Sequence, residues 1–560
     1  MLRTFTTHKI RETQELSGRL WDFTLLDGEH AGETQKVLVP SCLETYPGLG
    51  NYRGWSAYET DFEAEGNVRL EFKGVSHFAK VLVDDKEVAQ HYGSYTPFSV
   101  CITDLAPGTH HLKVLVDNAF KEDYALDVPN DYMSYGGISR GVVLEKIPGC
   151  FLNYVHVTPV KEENGAWIVS MEISCENITG EAKTAAVDVE LAGTKIQDQE
   201  RTLNPGENVW TLENISIPGA KTWNMETPVL YTILAVLTEN GTLVDDWMDR
   251  TGFRTVSIEG KKLFINGKQI RIKGFCRHED HPQYGCALPA SAMAYDLQLV
   301  KDMGGNSVRT THYPNDELFL DLCDEMGILV WEENHARGFV TEEMKRPHFE
   351  EQCEDTIREM IRAHYNHPSI YIWGILNECG SDSEFGRACY DAQFQLIRKM
   401  DQSRPCTYAS CRFNVDICQD LPDVCSWNIY PYWYEEKTSC QMMQEIWDYQ
   451  EKLGHGREKP FLISEIGAGG IYAFRDQSKD VWSEDLQAEI LGNQIKEVLN
   501  TEECIGMYIW QFCDVRVARV WWAIRRPKSR NNKGIVDEYR RPKMAYHVVK
   551  ELYSQYGDYK

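Results

Sequence analysis

The pattern that most constrains this chain is a change of grammar near Ile258. Upstream, apolar residues come in short strand-like runs. Downstream, apolar runs alternate with amphipathic stretches at helical spacing. Eight strand candidates follow the change: Ile270–Phe275, Ser307–Thr310, Ile328–Trp331, Ile370–Leu376, Thr407–Ser410, Val424–Ile429, Phe461–Ser464 and Met507–Phe512. Between them lie helix candidates such as Ser291–Met303, Phe349–His364 and Ser483–Leu499. Eight strands with intervening helices predict a closed (β/α)8 TIM barrel over residues 258–560. Thr407–Ser410 is the weakest of the eight runs.

The first half reads as two all-β domains. Val68–Phe72, Ala79–Val83, His111–Val116 and Val142–Lys146 are separated by Gly, Asp and Pro turns and predict a β-sandwich over residues 1–150. Pro148-Gly149 punctuates its end. Over residues 151–257, Trp167–Ser174, Ala186–Leu191, Val209–Ile215 and Tyr231–Thr238 alternate again. That second unit has the size of an immunoglobulin-like sandwich.

Charge narrows the partners. The 58 Lys and Arg against 85 Asp and Glu leave a net charge of −27. Nucleic acid and anionic membranes repel such a chain. No run approaches the roughly 20 apolar residues that span a bilayer. The start, MLRTFTTHKI, carries no apolar signal segment, and the 17 Cys show no framework spacing. Reduced thiols in a cytoplasmic protein are the expectation.

In a barrel, chemistry sits just past the C-terminal ends of the strands. Those positions hold Arg277-His278-Glu279-Asp280, Arg309 through His312-Tyr313, Glu332-Glu333-Asn334-His335, Asn377-Glu378, Tyr430, Glu465 and Trp510. Glu378 and Glu465 each end a strongly apolar run. Two carboxylates flanking one bond are the minimum equipment for glycoside hydrolysis: one protonates the leaving oxygen, the other attacks the anomeric carbon.

Two stretches carry a family resemblance. Asn306-Ser307-Val308-Arg309-Thr310-Thr311-His312-Tyr313-Pro314, running on to Trp331, resembles the first signature of glycoside hydrolase family 2. Asn366-His367-Pro368 through Asn377-Glu378 resembles the second. The resemblance covers essentially the whole chain. It implies a jelly-roll sugar-binding sandwich, an immunoglobulin-like domain and a catalytic barrel. It further implies Glu378 as general acid/base, Glu465 as nucleophile, and a retaining mechanism, for which the two carboxyls lie about 5–5.5 Å apart. Asn377 matches the residue that bonds the sugar 2-hydroxyl, and Tyr430 matches a tyrosine that orients the nucleophile. Trp510 matches a platform under the sugar, and Tyr434 a second aromatic near Tyr430. His312, in the first signature, is assigned to the substrate. A homo-oligomer, dimer or tetramer, is expected, with no cofactor and no metal.

The sugar is read from Arg516 to Lys533, where seven cations (Arg516, Arg519, Arg525, Arg526, Lys528, Arg530, Lys533) occur without an acid. In so acidic a chain that predicts a cationic rim for an anionic substrate. Asn531-Asn532-Lys533-Gly534 resembles the Asn-x-Lys motif of β-glucuronidases, which implies that Asn531 and Lys533 hold a C6 carboxylate. Asp131 resembles an aspartate that reaches the C4 hydroxyl. Arg337 departs from the pattern, standing where an apolar residue is usual before Gly338. It suggests acceptance of β-galacturonides, the C4 epimers of glucuronides; the bland reading pairs it with Glu342. The segment after Phe339 is short, which suggests an open entrance. The substrates expected are therefore β-hexuronide small molecules or oligosaccharides. The rival readings are a β-galactosidase acting on a neutral sugar and a non-catalytic carbohydrate-binding protein. His278-Glu279-Asp280-His281 lacks the further ligands that a zinc site needs.

Overall fold

The structure is a computed structural model that describes residues 2–560. The N-terminal sandwich is built on two long antiparallel strands, Trp55–Phe72 and Phe98–Asp117. Its apolar residues alternate as one buried face demands: Val68, Leu70 and Phe72 point into the same core as Leu112, Val114 and Val116. The four short runs expected here are parts of these and neighbouring strands. The second domain pairs Cys150–Glu163, Ala166–Asn177 and Gly206–Pro218 in one sheet. Lys183–Leu191, Tyr231–Glu239 and Thr242–Thr251 form the other. Trp167, Met171, Val189, Ile233 and Trp247 fill the space between them.

The eight expected barrel strands are all present. Ile272–Arg277, Ser307–Thr310, Leu329–Glu333, Ile370–Ile375, Cys406–Ser410, Val424–Asn428, Phe461–Ile466 and Cys504–Ile509 pair in parallel and close on themselves. All are buried throughout, as strands wrapped by helices must be. The weak fifth run is held by its neighbours: Thr407 donates to the Val424 carbonyl at 2.7 Å. The helices begin where short polar side chains accept first-turn N–H groups. Ser483 accepts from Leu486, and Asp316 from Leu318. Among the described residues no helix is long and apolar enough to cross a membrane.

The sandwich is bolted to the barrel mouth. Arg140 donates to Glu279 at 2.9 Å, Tyr135 to Asp280 at 2.8 Å, and Lys73 to Glu317 at 2.9 Å. These bonds carry residues 130–135 of the sandwich to the C-terminal ends of the strands. They also engage the acids of the first strand end. Glu279 and Asp280 are spent on Arg140 and Tyr135, whereas His278 turns inward beside Trp510.

Candidate active site

The fourth barrel strand ends in a sharp turn. Leu376 and Glu378 both take left-handed backbone angles, with φ 45° and 56°. Such residues cost about 1–3 kcal/mol each and persist only where the surroundings over-determine them. Here the Leu376 N–H donates to Asn334 Oδ1 at 3.1 Å, Tyr390 donates to the Leu376 carbonyl at 2.9 Å, and the Glu378 N–H donates to the Ala409 carbonyl at 2.9 Å. The turn delivers Glu378 into a cavity of about 270 Å3 that Glu465 also lines. Strands seven and eight approach closely behind Glu465. The Trp510 N–H donates to the Ile466 carbonyl at 2.8 Å, and a Cβ on Gly467 would collide with the Trp510 carbonyl. The glycines after Glu465 therefore serve the contact with Trp510 and, at Gly469, with Trp482.

The two carboxyls are served differently. Glu465 accepts from Tyr430 Oη at 2.7 Å and from Arg309 Nη1 at 3.1 Å. Glu378 accepts from Asn428 Nδ2 at 3.0 Å, and Arg337 Nη2 stands 3.6 Å from it. Burial, then the charge of Glu378, push Glu465 up to about 7, against the opposing pull of Arg309, Tyr430 and Arg337. The neighbouring Glu378 thus disfavours the Glu465 anion, while Arg309, Tyr430 and Arg337 favour it.

Beneath the pair lies a network that links three strands. Arg309 donates to both oxygens of Glu333, at 2.8 and 3.1 Å, and to Asn377 Oδ1 at 2.8 Å. His312 Nδ1 faces Glu333 at 2.7 Å, so that nitrogen carries the hydrogen and Nε2 is left as an acceptor. Burial and the charges of Arg309 and Arg337 keep the ring neutral. His312 stacks on Trp510 at 5.1 Å. His312 Nε2 and Asn377 Nδ2 are both buried without a partner, as groups that await sugar hydroxyls would be.

The far wall is cationic. Lys533 is 2% exposed. Its ammonium lies 5.4 and 5.9 Å from the rings of Tyr434 and Tyr430, and no carboxylate pairs with it among the described residues. Burial, followed by the repulsion of Arg526, pulls its pKa down, against the attraction of Tyr434 and Asp131. Arg526 grips Asp131 with both nitrogens, its Nε at 2.9 Å. Asn531 Nδ2 donates to Asp131 at 3.2 Å. Asn531 thus acts on Asp131, and Lys533 bonds Tyr434 but has no carboxylate of its own among the described residues.

Of the residues expected from sequence, Asp131, Arg337, Glu378, Tyr430, Tyr434, Glu465, Trp510 and Lys533 line the one cavity. His312, Asn377 and Asn531 stand directly behind it. Sequence reading placed His278 and Arg309 at strand ends and Arg526 in the cationic rim without giving any of them an individual role, and it did not single out Asn428. Arg337 does not pair with Glu342, which is taken by Lys345 at 2.7 Å. It donates to Asn130 at 2.5 Å, and the Gly338 N–H pins its neighbour to the Asn377 carbonyl at 2.8 Å.

Comparison with known proteins now decides the family. The sugar binding domain of glycosyl hydrolases family 2 matches residues 37–148, a second family 2 domain matches 150–254, and the family's TIM barrel domain matches 256–557. The chain belongs to glycosyl hydrolase family 2. A GH2 beta-galacturonidase from Eisenbergiella tayi, solved bound to galacturonate, is 53% identical with a TM-score of 0.98, covering 100% of both chains. The Beta-glucuronidase of Paenibacillus borealis is 26% identical over 607 residues, covering 98% of each. A Bacteroides uniformis beta-glucuronidase structure is 26% identical with a TM-score of 0.85, over 97% of this chain and 69% of that one. Membership of a glycosyl hydrolase family, with two carboxylates in one cavity, sets aside the non-catalytic reading.

Proposed function

We propose that this family 2 glycosidase releases terminal β-D-hexuronides by a retaining mechanism, with β-D-galacturonides as its preferred substrates. The observation that carries the uronide reading is Lys533. A buried ammonium without a carboxylate partner is costly unless the ligand supplies one. A β-galactosidase would leave it unpaired, so the neutral-sugar reading is disfavoured.

The chemistry follows from the donors. Glu378 protonates the glycosidic oxygen, while Glu465, held by Tyr430 and Arg309, attacks the anomeric carbon on the opposite side. Water, deprotonated by Glu378, then releases the sugar from the glycosyl–Glu465 ester. Asn377 Nδ2 and His312 Nε2 meet ring hydroxyls, and Trp510 supports the ring face.

Arg337 supports the galacturonide reading. Its guanidinium spans from Glu378 to Asn130, next to Asp131, where the C4 hydroxyl is expected. The relative solved with galacturonate, at 53% identity, points the same way. The small cavity suits one sugar residue and exo action. A cytoplasmic homo-oligomer completes the proposal; the 17 free thiols agree with a reducing compartment.

The test is hydrolysis of p-nitrophenyl β-D-galacturonide, β-D-glucuronide and β-D-galactoside in parallel. Galacturonide turnover should lead, with the galactoside far behind. Galactoside turnover alone would sink the proposal.

A further inference from the structure

The cationic segment is a hairpin, and only part of it serves the cavity. Val515–Arg516 pairs with Arg530–Asn531, so residues 517–529 form the tip. Arg526 and Lys533 reach inward to the cavity, while Arg516 donates to Asn51 Oδ1 at 3.3 Å. Arg519, Arg525 and Lys528 are exposed. None of the three has a hydrogen-bonding or ion-pairing partner among the described residues. In a chain of 85 acids, where exposed cations such as Lys345 and Lys550 do pair, three free ones on one hairpin form an uncompensated patch. Trp521 stands among them, 81% exposed.

We infer that the hairpin tip is a binding site for the leaving-group side of the substrate, and that this side is an acidic glycan. The inference rests on the uronidase reading and extends it from the terminal sugar to the chain that bears it. Trp521 offers a flat apolar face of the kind sugar rings stack on, and Arg519, Arg525 and Lys528 offer charge to carboxylates or sulfates along the glycan. The hairpin is well placed for this. The Ala518 N–H donates to the Asn130 carbonyl at 3.2 Å, and the Asn130 side chain accepts from Arg337 inside the site. The tip is thereby tied to the cavity rim. Exposed cations also act over about 8 Å at physiological ionic strength, so the patch draws an acidic chain toward the mouth.

The test compares two substrates on wild type, Trp521→Ala and the triple variant Arg519→Gln/Arg525→Gln/Lys528→Gln. One substrate is an aryl β-hexuronide with a neutral leaving group. The other is a tetrasaccharide with a terminal β-hexuronide and uronates at the remaining positions. The triple variant should lose about tenfold in kcat/KM on the glycan, the order that three exposed ion pairs supply together. Its salt dependence should vanish with it. Aryl uronide turnover should stay within about twofold, which also reports that the variant is folded. Equal change on both substrates overturns the inference, as does no change on the glycan. A shift in sedimentation of Trp521→Ala with unchanged glycan cleavage makes the tip a subunit contact and overturns it too. Absence of aryl uronide turnover in wild type would instead refute the uronidase reading itself.

Discussion

Replacing Lys533 with Met separates function from stability in opposite directions. The ammonium is 2% exposed, bonds Tyr434, and shares its surroundings with Arg526 and with Asp131, which Arg526 already grips. A bound uronate carboxylate is therefore its first full counter-charge. Losing one member of a buried, hydrogen-bonded charge pair costs about 2–5 kcal/mol in binding. At about 1.4 kcal/mol per decade, a middle value near 3 kcal/mol is a loss of about 150-fold in kcat/KM for aryl uronides. The neutral galactoside gains nothing from the cation, so its kcat/KM should hold or rise. Folding, meanwhile, buries Lys533 with only partial compensation from Tyr434 and Asp131. Packed apolar volume in place of buried charge is often neutral or stabilising by about 1–4 kcal/mol. The denaturation midpoint of Lys533→Met should accordingly hold or rise while uronide activity collapses. The assay is steady-state hydrolysis of both aryl glycosides beside a urea titration. Equal losses on uronide and galactoside, or a clear fall in midpoint, would show that Lys533 is structural and refute the reasoning.

Further outcomes follow from the dyad and the groups that contact it. A raised Glu465 is protonated below about 7, so the rate of a nucleophile-limited substrate falls as pH drops through that value. Glu378→Gln removes the neighbouring charge that raises Glu465, so the acid limb should move to lower pH. Substrates with poor leaving groups should lose about 10²–10⁴ in kcat through the missing acid. Tyr430→Phe removes a donor at 2.7 Å, which should move the acid limb to higher pH and cost about 10- to 100-fold, the worth of one bond to a charged group. Arg337→Ala should lower the galacturonide-to-glucuronide ratio by about tenfold or more. It should also move the acid limb up, because Arg337 favours the Glu465 anion. An unchanged ratio would return Arg337 to a structural role.

The barrel was legible because most of its buried strands, such as Ile370–Ile375, are strongly apolar and recur between helices; Ser307–Thr310 and Cys406–Ser410 are weaker runs. The sandwich was legible only in pieces. The strand Trp55–Phe72 announces itself at Val68–Phe72, but through Glu59–Glu65 its solvent face is charged and its alternation is hidden. Glu378 and Glu465 stood out because a charge that ends an apolar run is conspicuous. Arg309 and Asn428 did not, since their work lies in contacts across strands far apart in sequence. Arg526 was visible as charge, but its grip on Asp131, 395 residues away, is a product of the fold alone. The proton balance of the dyad was equally hidden. It depends on burial and on how near the second carboxylate lies, and neither is written in local sequence.

The most direct test of the central claim is covalent trapping. Wild-type protein would be incubated with 2-deoxy-2-fluoro-β-D-galacturonyl fluoride and, separately, with the neutral 2-deoxy-2-fluoro-β-D-galactosyl fluoride, then digested for peptide mass spectrometry. The uronyl reagent should inactivate the protein and leave one sugar adduct on the peptide that contains Glu465, while the neutral reagent should react far more slowly. An adduct on any other residue, or labelling by the neutral sugar alone, would contradict the assignment of Glu465 as nucleophile and Lys533 as the uronate's partner.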